Sequence, residues 1–314
     1  MSGPPAHVVE WAQQRARLRA AGDYAAADAL RDRIAGAGWR AVDSEDSFRL
    51  EAAVRFEAVI PARVADRSAE PDGVDASVLL LLEDHPATRE DATRCLSGVL
   101  AHHTDTAYEL ILLDNGAGGE IGDWAADVAR NPGVTAVHLA EAVGFAEARA
   151  LQHRVATGGL LVWLDTGVEP TGDLLSPLIA AFANPAVGLA GRWGGDLGPG
   201  IDRFANADPA PAGAPLREVH AVWGYLLALR RRMVTDGAIT MDPAFAFYRN
   251  ADADVAFQVR SAGRRVVLLD LPAVQHAHRA YADTPATERD RASRRNYRRL
   301  LDRWRPQMER LAGG

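Results

Sequence analysis

The chain has no lysine; all 35 of its basic residues are arginine. Coding bias in a high-GC genome accounts for that more simply than any function does. Cysteine is nearly as scarce. A single thiol, Cys95, excludes an internal disulfide framework and a cysteine-ligated zinc site. Long hydrophobic runs are missing as well: stretches such as 78–82 and 160–164 are of strand length, far short of a membrane span. The opening MSGPPAHVVEW holds no basic segment followed by an apolar core, so no secretory signal is visible and the expected location is cytoplasmic. Excess positive charge is also lacking. A net charge of −7 argues against a nucleic-acid coat and leaves room only for a local basic patch.

What is present is an ordinary globular composition. With 314 residues, 48% hydrophobic and 25% charged, the chain can bury one large α/β domain and carry a small extra module. Residues 8–37 show helical periodicity, with Trp11, Leu18, Ala25, Leu30 and Ile34 on the apolar side. Gly22-Asp23 interrupts it as a turn between two antiparallel helices, residues 36–38 end the second, and a short strand pair is expected over 39–50. A connecting region, polar at its end, runs to residue 76. Strands then alternate with helices: strands at 77–82, 109–113, 134–139 and 160–164, helices at 90–102, 119–130 and 145–157. Continuous apolar runs mark strands covered on both faces. The expected architecture is a doubly wound sheet with its ligand at the carboxyl ends of the strands.

Acids recur at those ends. Glu83, Asp84 and His85 follow the first strand, Asp114-Asn115-Gly116 the second, and Asp165-Thr166-Gly167 the fourth. With no G-x-G-x-x-G turn, a dinucleotide phosphate is poorly served. Carboxylates suit a nucleoside's base and ribose hydroxyls, or a divalent cation bridging a diphosphate. Each taken singly also reads as a turn or helix cap. The stretch 250–278 adds Asp252 and Asp254 at the start of an amphipathic run closed by Arg260 and Gly263. An apolar strand at 266–271 follows, with His276 just beyond it. Carboxylates and an imidazole brought to one sheet edge could handle a proton or a metal-bound anion. The plainer reading is a surface helix with solvated acids and a loop histidine.

Other features have bland readings first. His102-His103 reads as a helix cap or surface pair ahead of a metal site, and His278 as a reserve ligand beside His276. The glycine-rich segment from Trp193 to Gly200, with no helix immediately behind it, reads as a flexible lid ahead of a phosphate cradle. An arginine-rich helix is expected over 286–311, with Tyr297, Leu300, Leu301, Trp304 and Met308 on its apolar face. Docking of that face on the sheet domain is the default, and attachment to an anionic membrane surface is the sharper alternative.

From about residue 77 to 278 these motifs resemble a family 2 glycosyltransferase with the GT-A fold. SVLLLLEDHPATREDATRCLSGVL is similar to the family's opening strand and helix, and YELILLDNGAGGE to its second strand with the base-contacting aspartate. VGFAEARALQHRVATGGLLVWLD resembles the helix leading to the metal-motif strand, and VWGYLLALRRR the acceptor-side strand. Asp252, with Asp254, Gly263 and His276, falls on the acidic motif and the later histidine, at the spacing of metal-using members. The resemblance implies a Rossmann-like α/β domain over 77–282 with a mixed, mostly parallel sheet. It is preceded by a helical hairpin at 1–54 and a connector at 55–76, and followed by the amphipathic helix at 283–314.

The roles it implies are specific. Asp252 is the base of an inverting transfer from a nucleotide-diphosphate sugar to an acceptor hydroxyl. Glu83, Asp84, Asp114, Arg149, Asp165 and Gly224 meet the nucleotide sugar, and Asp165 with His276 holds Mg²⁺ or Mn²⁺. Two departures stand out. Gly167 occupies the place of the second acid of the D-x-D signature, and Ala251 replaces the acid that usually precedes the base, which is expected to lower the pKa of Asp252 relative to a paired acid. The rival reading is a nucleotide-sugar binder that lost catalysis.

The N-terminal RAAGDYAAADALRDRIAGAGWRAVDSEDSFRLE resembles the small helical module at the C-terminus of cysteinyl-tRNA synthetases, through Asp23, Ala27-Asp28, Leu30-Arg31-Asp32, Gly38 and Asp43. Since the synthetase's catalytic motifs are absent, it implies a borrowed module. A packing or dimerisation hairpin is favoured over RNA contact on the acidic balance. The expected partners are a nucleotide sugar and an acceptor that is a glycan, a lipid-linked species or a small molecule. A homodimer and peripheral membrane contact are held in reserve, and nucleic acid is not expected.

Overall fold

The structure, a computed structural model, describes residues 4–43, 47–52, 56–102, 104–211 and 216–313. His103, of the histidine pair, lies outside the described residues. The chain divides into two compact units, Met1–Glu57 and Ala58–Gly314.

The first unit is a helical hairpin, α1 (Ala6–Ala20) and α2 (Tyr24–Gly36), followed by an antiparallel ribbon of β1 (Trp39–Asp43) and β2 (Phe48–Ala52). The turn falls at Gly22-Asp23. Gly22 adopts the left-handed φ of +80°, and the Asp23 carboxylate caps α2 by accepting the Ala26 amide at 3.1 Å. Val8, Ala12 and Ile34 form the small core. The buried Arg15 guanidinium donates to both oxygens of Asp43 at 2.6 and 2.9 Å, tying helix to ribbon and holding the Asp43 carboxyl below its usual range.

The second unit opens with β3 (Ala58–Val59), β4 (Val74–Leu82), α3 (Thr88–Ala101), β5 (Tyr108–Asp114), α4 (Gly119–Val128), β6 (Val134–Leu139), α5 (Phe145–Val155) and β7 (Gly158–Leu164). Next come β8 (Val168–Pro170), α6 (Leu175–Phe182), β9 (Val187–Gly191), β10 (Gly194–Leu197), β11 (Phe204–Ala207), β12 (Arg217–Glu218), β13 (Ala221–Val222), β14 (Leu226–Arg230) and α7 (Arg231–Thr235). The chain closes with α8 (Ala251–Ser261), β15 (Arg265–Leu268), β16 (Ala273–Gln275), α9 (Arg279–Ala282) and α10 (Ala286–Ala312).

One nine-stranded sheet runs in the order β12-β15-β9-β14-β7-β4-β5-β6-β3. Most of its pairings are parallel. The exceptions are the pairing of β12 with β15 and those of β14, which runs antiparallel between β7 and β9. Strand alternation sends Leu79, Ile111, Leu161 and Leu227 to one face and Leu80, Leu112, Val162 and Ala228 to the other. Helices α5, α8 and α10 cover the first face through Leu151, Phe257 and Leu300, and α3, α4 and α6 cover the second through Leu96, Ile121 and Leu178. Each such fully buried side chain contributes roughly 1.5–3 kcal/mol. The apolar face of α10 is thus spent on its own domain, as the default reading expected.

Two local expectations change. The strand expected over 266–271 is shorter, ending at Leu268. The glycine-rich segment read as a flexible lid instead forms β10, the middle of a three-stranded sheet with β11 and β13. Its glycines serve close strand approach: a Cβ on Gly194 would stand 2.3 Å from the Ala221 carbonyl oxygen.

Candidate functional site

The antiparallel course of β14 builds the site. Because Leu226 pairs with Leu164, the start of β14 lies beside the carboxyl end of β7, and the Asp165 amide donates to the Tyr225 carbonyl at 2.8 Å. Gly224 therefore stands at the edge where β4 and β7 deliver Glu83 and Asp165. Helix α8 aims its first turn at the same edge. It starts from Asn250, whose left-handed φ of +68° turns the chain sharply into the helix. Asp252 then sits among the free amides of that first turn, where a carboxylate is favoured.

Asp252 and Asp254 are two residues apart on one helix, so they face nearly opposite ways. Asp254 turns to α10, where Trp304 Nε1 (2.6 Å) and Arg303 (3.1 Å) donate to its oxygens, joined by Gln258 Nε2 of α8 itself (2.7 Å), a structural arrangement. Asp252 turns into a cavity of about 850 Å³. Its Oδ2 accepts the Gly224 amide at 2.7 Å and its Oδ1 the Ala253 amide at 2.9 Å. Burial pushes its pKa up, against the pull of the nearby Arg149 guanidinium.

Arg149 comes from α5 and is buried, stacked 4.4 Å over Phe145 and 5.5 Å over Trp163. It donates to the Gly224 carbonyl at 2.9 Å, and burial pulls its pKa down to about 10 despite the surrounding Asp252, Asp165 and Glu83. Gly224 thus bridges base and arginine, its amide on Asp252 and its carbonyl on Arg149. A Cβ there would stand 2.7 Å from an Arg149 terminal nitrogen. Glu83 lines a smaller cavity with Arg149 and Asp165, and burial raises its pKa. The two cavities share Phe145, Asp165, Gly224 and His278.

Other expected residues are not in this group. Asp114 is fully buried and lines neither cavity. Its Oδ1 holds the turn after β5 by accepting the Ala117 (2.9 Å) and Gly118 (3.2 Å) amides, and its Oδ2 meets His138 Nδ1 at 3.0 Å. Both oxygens of Asp114 thus have partners within the fold. Asp84 is exposed and also lines neither cavity.

The two residues expected to share a metal find different partners, Asp165 with His278 and His276 with Glu169. β16 pairs antiparallel with β8, Gln275 opposite Val168, so that register continued puts His276 opposite Gly167 and His278 opposite Asp165. Accordingly the His276 amide donates to the Gly167 carbonyl at 2.8 Å, while its ring Nε2 lies 2.7 Å from Glu169 Oε2. It is His278 whose Nδ1 lies 3.1 Å from Asp165 Oδ2, near enough to pair but not aligned as a hydrogen bond. Its ring is held edge-on between Tyr225 and Tyr248, at centroid distances of 5.2 and 4.3 Å. Only the register of β16 on β8, which sequence does not display, singles out His278 over His276. Tyr225 and Tyr248 were not singled out from the sequence, where nearness to Gly224 and Asp252 was their one signal.

The donor set does not fit a divalent cation. Asp165 Oδ1 is already taken by the Gly167 amide at 2.9 Å. Position 167 cannot hold a second acid as the backbone stands, since a Cβ there would lie 2.3 Å from the Ala277 carbonyl oxygen. Among the described residues no group of three or more His, Cys, Asp or Glu is placed to hold a metal ion. Arg149 is the buried positive charge at the site, while Arg279 lines the smaller cavity and Arg203, Arg249, Arg294 and Arg298 line the larger. Neither is there, among the described residues, a helix long and apolar enough to cross a membrane.

Known proteins share this architecture. A crystal structure of GalNAc-T7 with UDP, GalNAc and Mn²⁺ matches with a TM-score of 0.61 at 14% identity, over 75% of this chain and 50% of that one. S. aureus TarS matches with a TM-score of 0.50 at 12% identity, over 72% of this chain and 43% of that one. The chain therefore spans half or less of the length of these relatives. At such identities the likeness is one of fold, and the fold is GT-A. No curated protein matches the chain in sequence. The sequence pattern of "Glycosyl transferase family 2" does match, over residues 88–251, from the first turn of α3 to the first residue of α8. With just over half its length inside that pattern, and with the sheet edge the fold requires, this chain belongs to glycosyl transferase family 2.

Proposed function

We propose that the chain transfers a sugar from a nucleotide-diphosphate donor to an acceptor hydroxyl in a single inverting displacement, with Asp252 as the base. The observation that carries this reading is the setting of Asp252: a half-buried carboxylate whose desolvation raises its pKa, fixed by the Gly224 amide and facing a cavity large enough for sugar and acceptor. The acceptor O–H gives its proton to the Asp252 carboxylate as its oxygen bonds the anomeric carbon. The bond from that carbon to the donor phosphate breaks, and the nucleotide diphosphate leaves from the opposite face. Proton removal of this kind supplies about 10²–10⁴-fold in rate. Arg149, already desolvated, is placed to offset the charge of the departing diphosphate, with Asp165, Glu83 and His278 around the donor.

A metal-free, non-catalytic binder is the second reading, favoured by the crowding at Gly167. Calorimetric titration of UDP-, GDP- and TDP-sugars, paired with nucleotide release over an acceptor panel, separates the two. Turnover lost in Asp252→Asn with donor binding retained supports the transferase. Binding without turnover in either protein supports the binder, and no nucleotide binding rejects both.

We assign the functional boundaries as 1–54, 55–76, 77–282 and 283–314, and read the synthetase-like first segment as a packing or dimerisation module. Deleting residues 1–54 is then expected to leave donor affinity unchanged. Retention of tRNA that is lost with that deletion and weakens steeply with salt would instead mark an RNA-associated protein.

A further inference from the structure

The acceptor side of the proposed site does not stop at the cavity. Helix α10 carries nine arginines against four acids, in a chain whose net charge is −7. Four of them, Arg291, Arg294, Arg295 and Arg298, are exposed and fall three and four residues apart, in one row along the helix. The row lines an open groove of about 870 Å³. Arg294 and Arg298 also line the cavity that holds Asp252, so groove and cavity share a wall.

Most other guanidiniums on this helix serve the fold. Arg303 binds Asp254 at 3.1 Å, Arg299 lies 3.6 Å from Asp242, and Arg289 donates to the Tyr281 carbonyl at 2.8 Å. Arg291, Arg295 and Arg298 have no ion pair or hydrogen bond with any described residue, and Arg294 only a fully solvated contact at 3.9 Å with Asp290. Of the acids on the groove, Asp242 is engaged by Arg299 and Asp302 offsets one charge. A bilayer is a poor occupant: Leu300 and Met308 are fully buried and Trp304 packs on the core, so the helix has no apolar face to insert. Forked guanidiniums one helical turn, about 5.4 Å, apart suit oxyanions repeated along a chain.

We propose that the acceptor is an anionic chain bearing phosphate or carboxylate groups, which lies along the arginine row at 291–298 and delivers a hydroxyl to Asp252. This rests on the transferase reading of the Asp252 site. The test titrates the full chain with linear inorganic polyphosphate, with oligogalacturonate, with phosphatidylglycerol vesicles and with UDP, at about 50 mM salt. The soluble polyanions are expected to bind. Arg291→Gln/Arg295→Gln should weaken them at least about tenfold while UDP affinity changes less than about twofold. Arg31→Gln/Arg130→Gln, at exposed arginines elsewhere, should alter neither. Hydroxyl-radical footprinting should show bound polyphosphate protecting Trp223 and Tyr248 in the cavity as well as Tyr297 on α10. Polyanion binding unchanged by the double variant, binding to vesicles alone, or protection confined to α10 would overturn the proposal. Polyanion binding with no affinity for UDP, GDP or TDP would instead reject the transferase reading, and the acceptor assignment with it.

Discussion

The strand ends and the helix start bring carboxylates to one edge of one sheet, and the two regions use them differently. At the end of β5, Asp114 is fully buried with both oxygens committed, to two turn amides and to His138. At the start of α8, Asp252 is held by two amides on its inner side and opens onto a cavity beside a desolvated arginine. Both acids therefore have both oxygens engaged, and what separates them is that Asp252 also faces open space beside a counter-charge while Asp114 lines neither cavity.

The largest effect expected from this contrast is on stability. Asp114→Ala removes a fully buried carboxylate from its three partners and should cost about 3–5 kcal/mol, lowering Tm by roughly 10 °C in thermal denaturation. A variant that unfolds normally but loses donor affinity would break the contrast, by showing that Asp114 serves the ligand. Next comes Gly167→Asp, which restores the family's second acid on paper. The added Cβ must displace the Ala277 carbonyl, so a loss of about 1–3 kcal/mol is expected, with no gain in transfer on adding Mn²⁺. Smaller still is the split between the two histidines. His278→Gln, beside Asp165, should lower kcat/KM about tenfold. His276→Gln, at the exposed Glu169 pair, should stay within about 0.5 kcal/mol in stability and twofold in transfer.

The same contrast explains what the amino-acid sequence could and could not reveal. The central strands were legible because burial on both faces leaves uninterrupted apolar runs, such as VLLLL before Glu83. The hairpin was legible because Gly22-Asp23 breaks one helical period and caps the next. Asp252 and Asp254 could not be told apart by composition, yet two helical positions separate a cavity-facing acid from one clamped by α10. His276 and His278 share strand parity, so only the register of β16 on β8 decides which meets Asp165. The lid at 193–200 failed as a reading because glycines that suit a mobile loop also suit tightly packed strands, and the partner strands β11 and β13 lie later in the chain.

The pH dependence sharpens the role of Asp252. A base must be ionised to accept a proton, and burial raises the pKa of this carboxyl. Transfer should therefore fall as pH is lowered, with an acid limb displaced above the value of about 3.9 for an unperturbed aspartate. The most direct measurement is single-turnover sugar transfer across pH 4–9 for the wild-type chain and for Asp252→Asn, at saturating nucleotide sugar. The account predicts that the variant binds donor within a few fold, loses about 10²–10⁴ in rate and loses the acid limb. A variant that keeps its rate with the same acid limb would show that the base lies elsewhere.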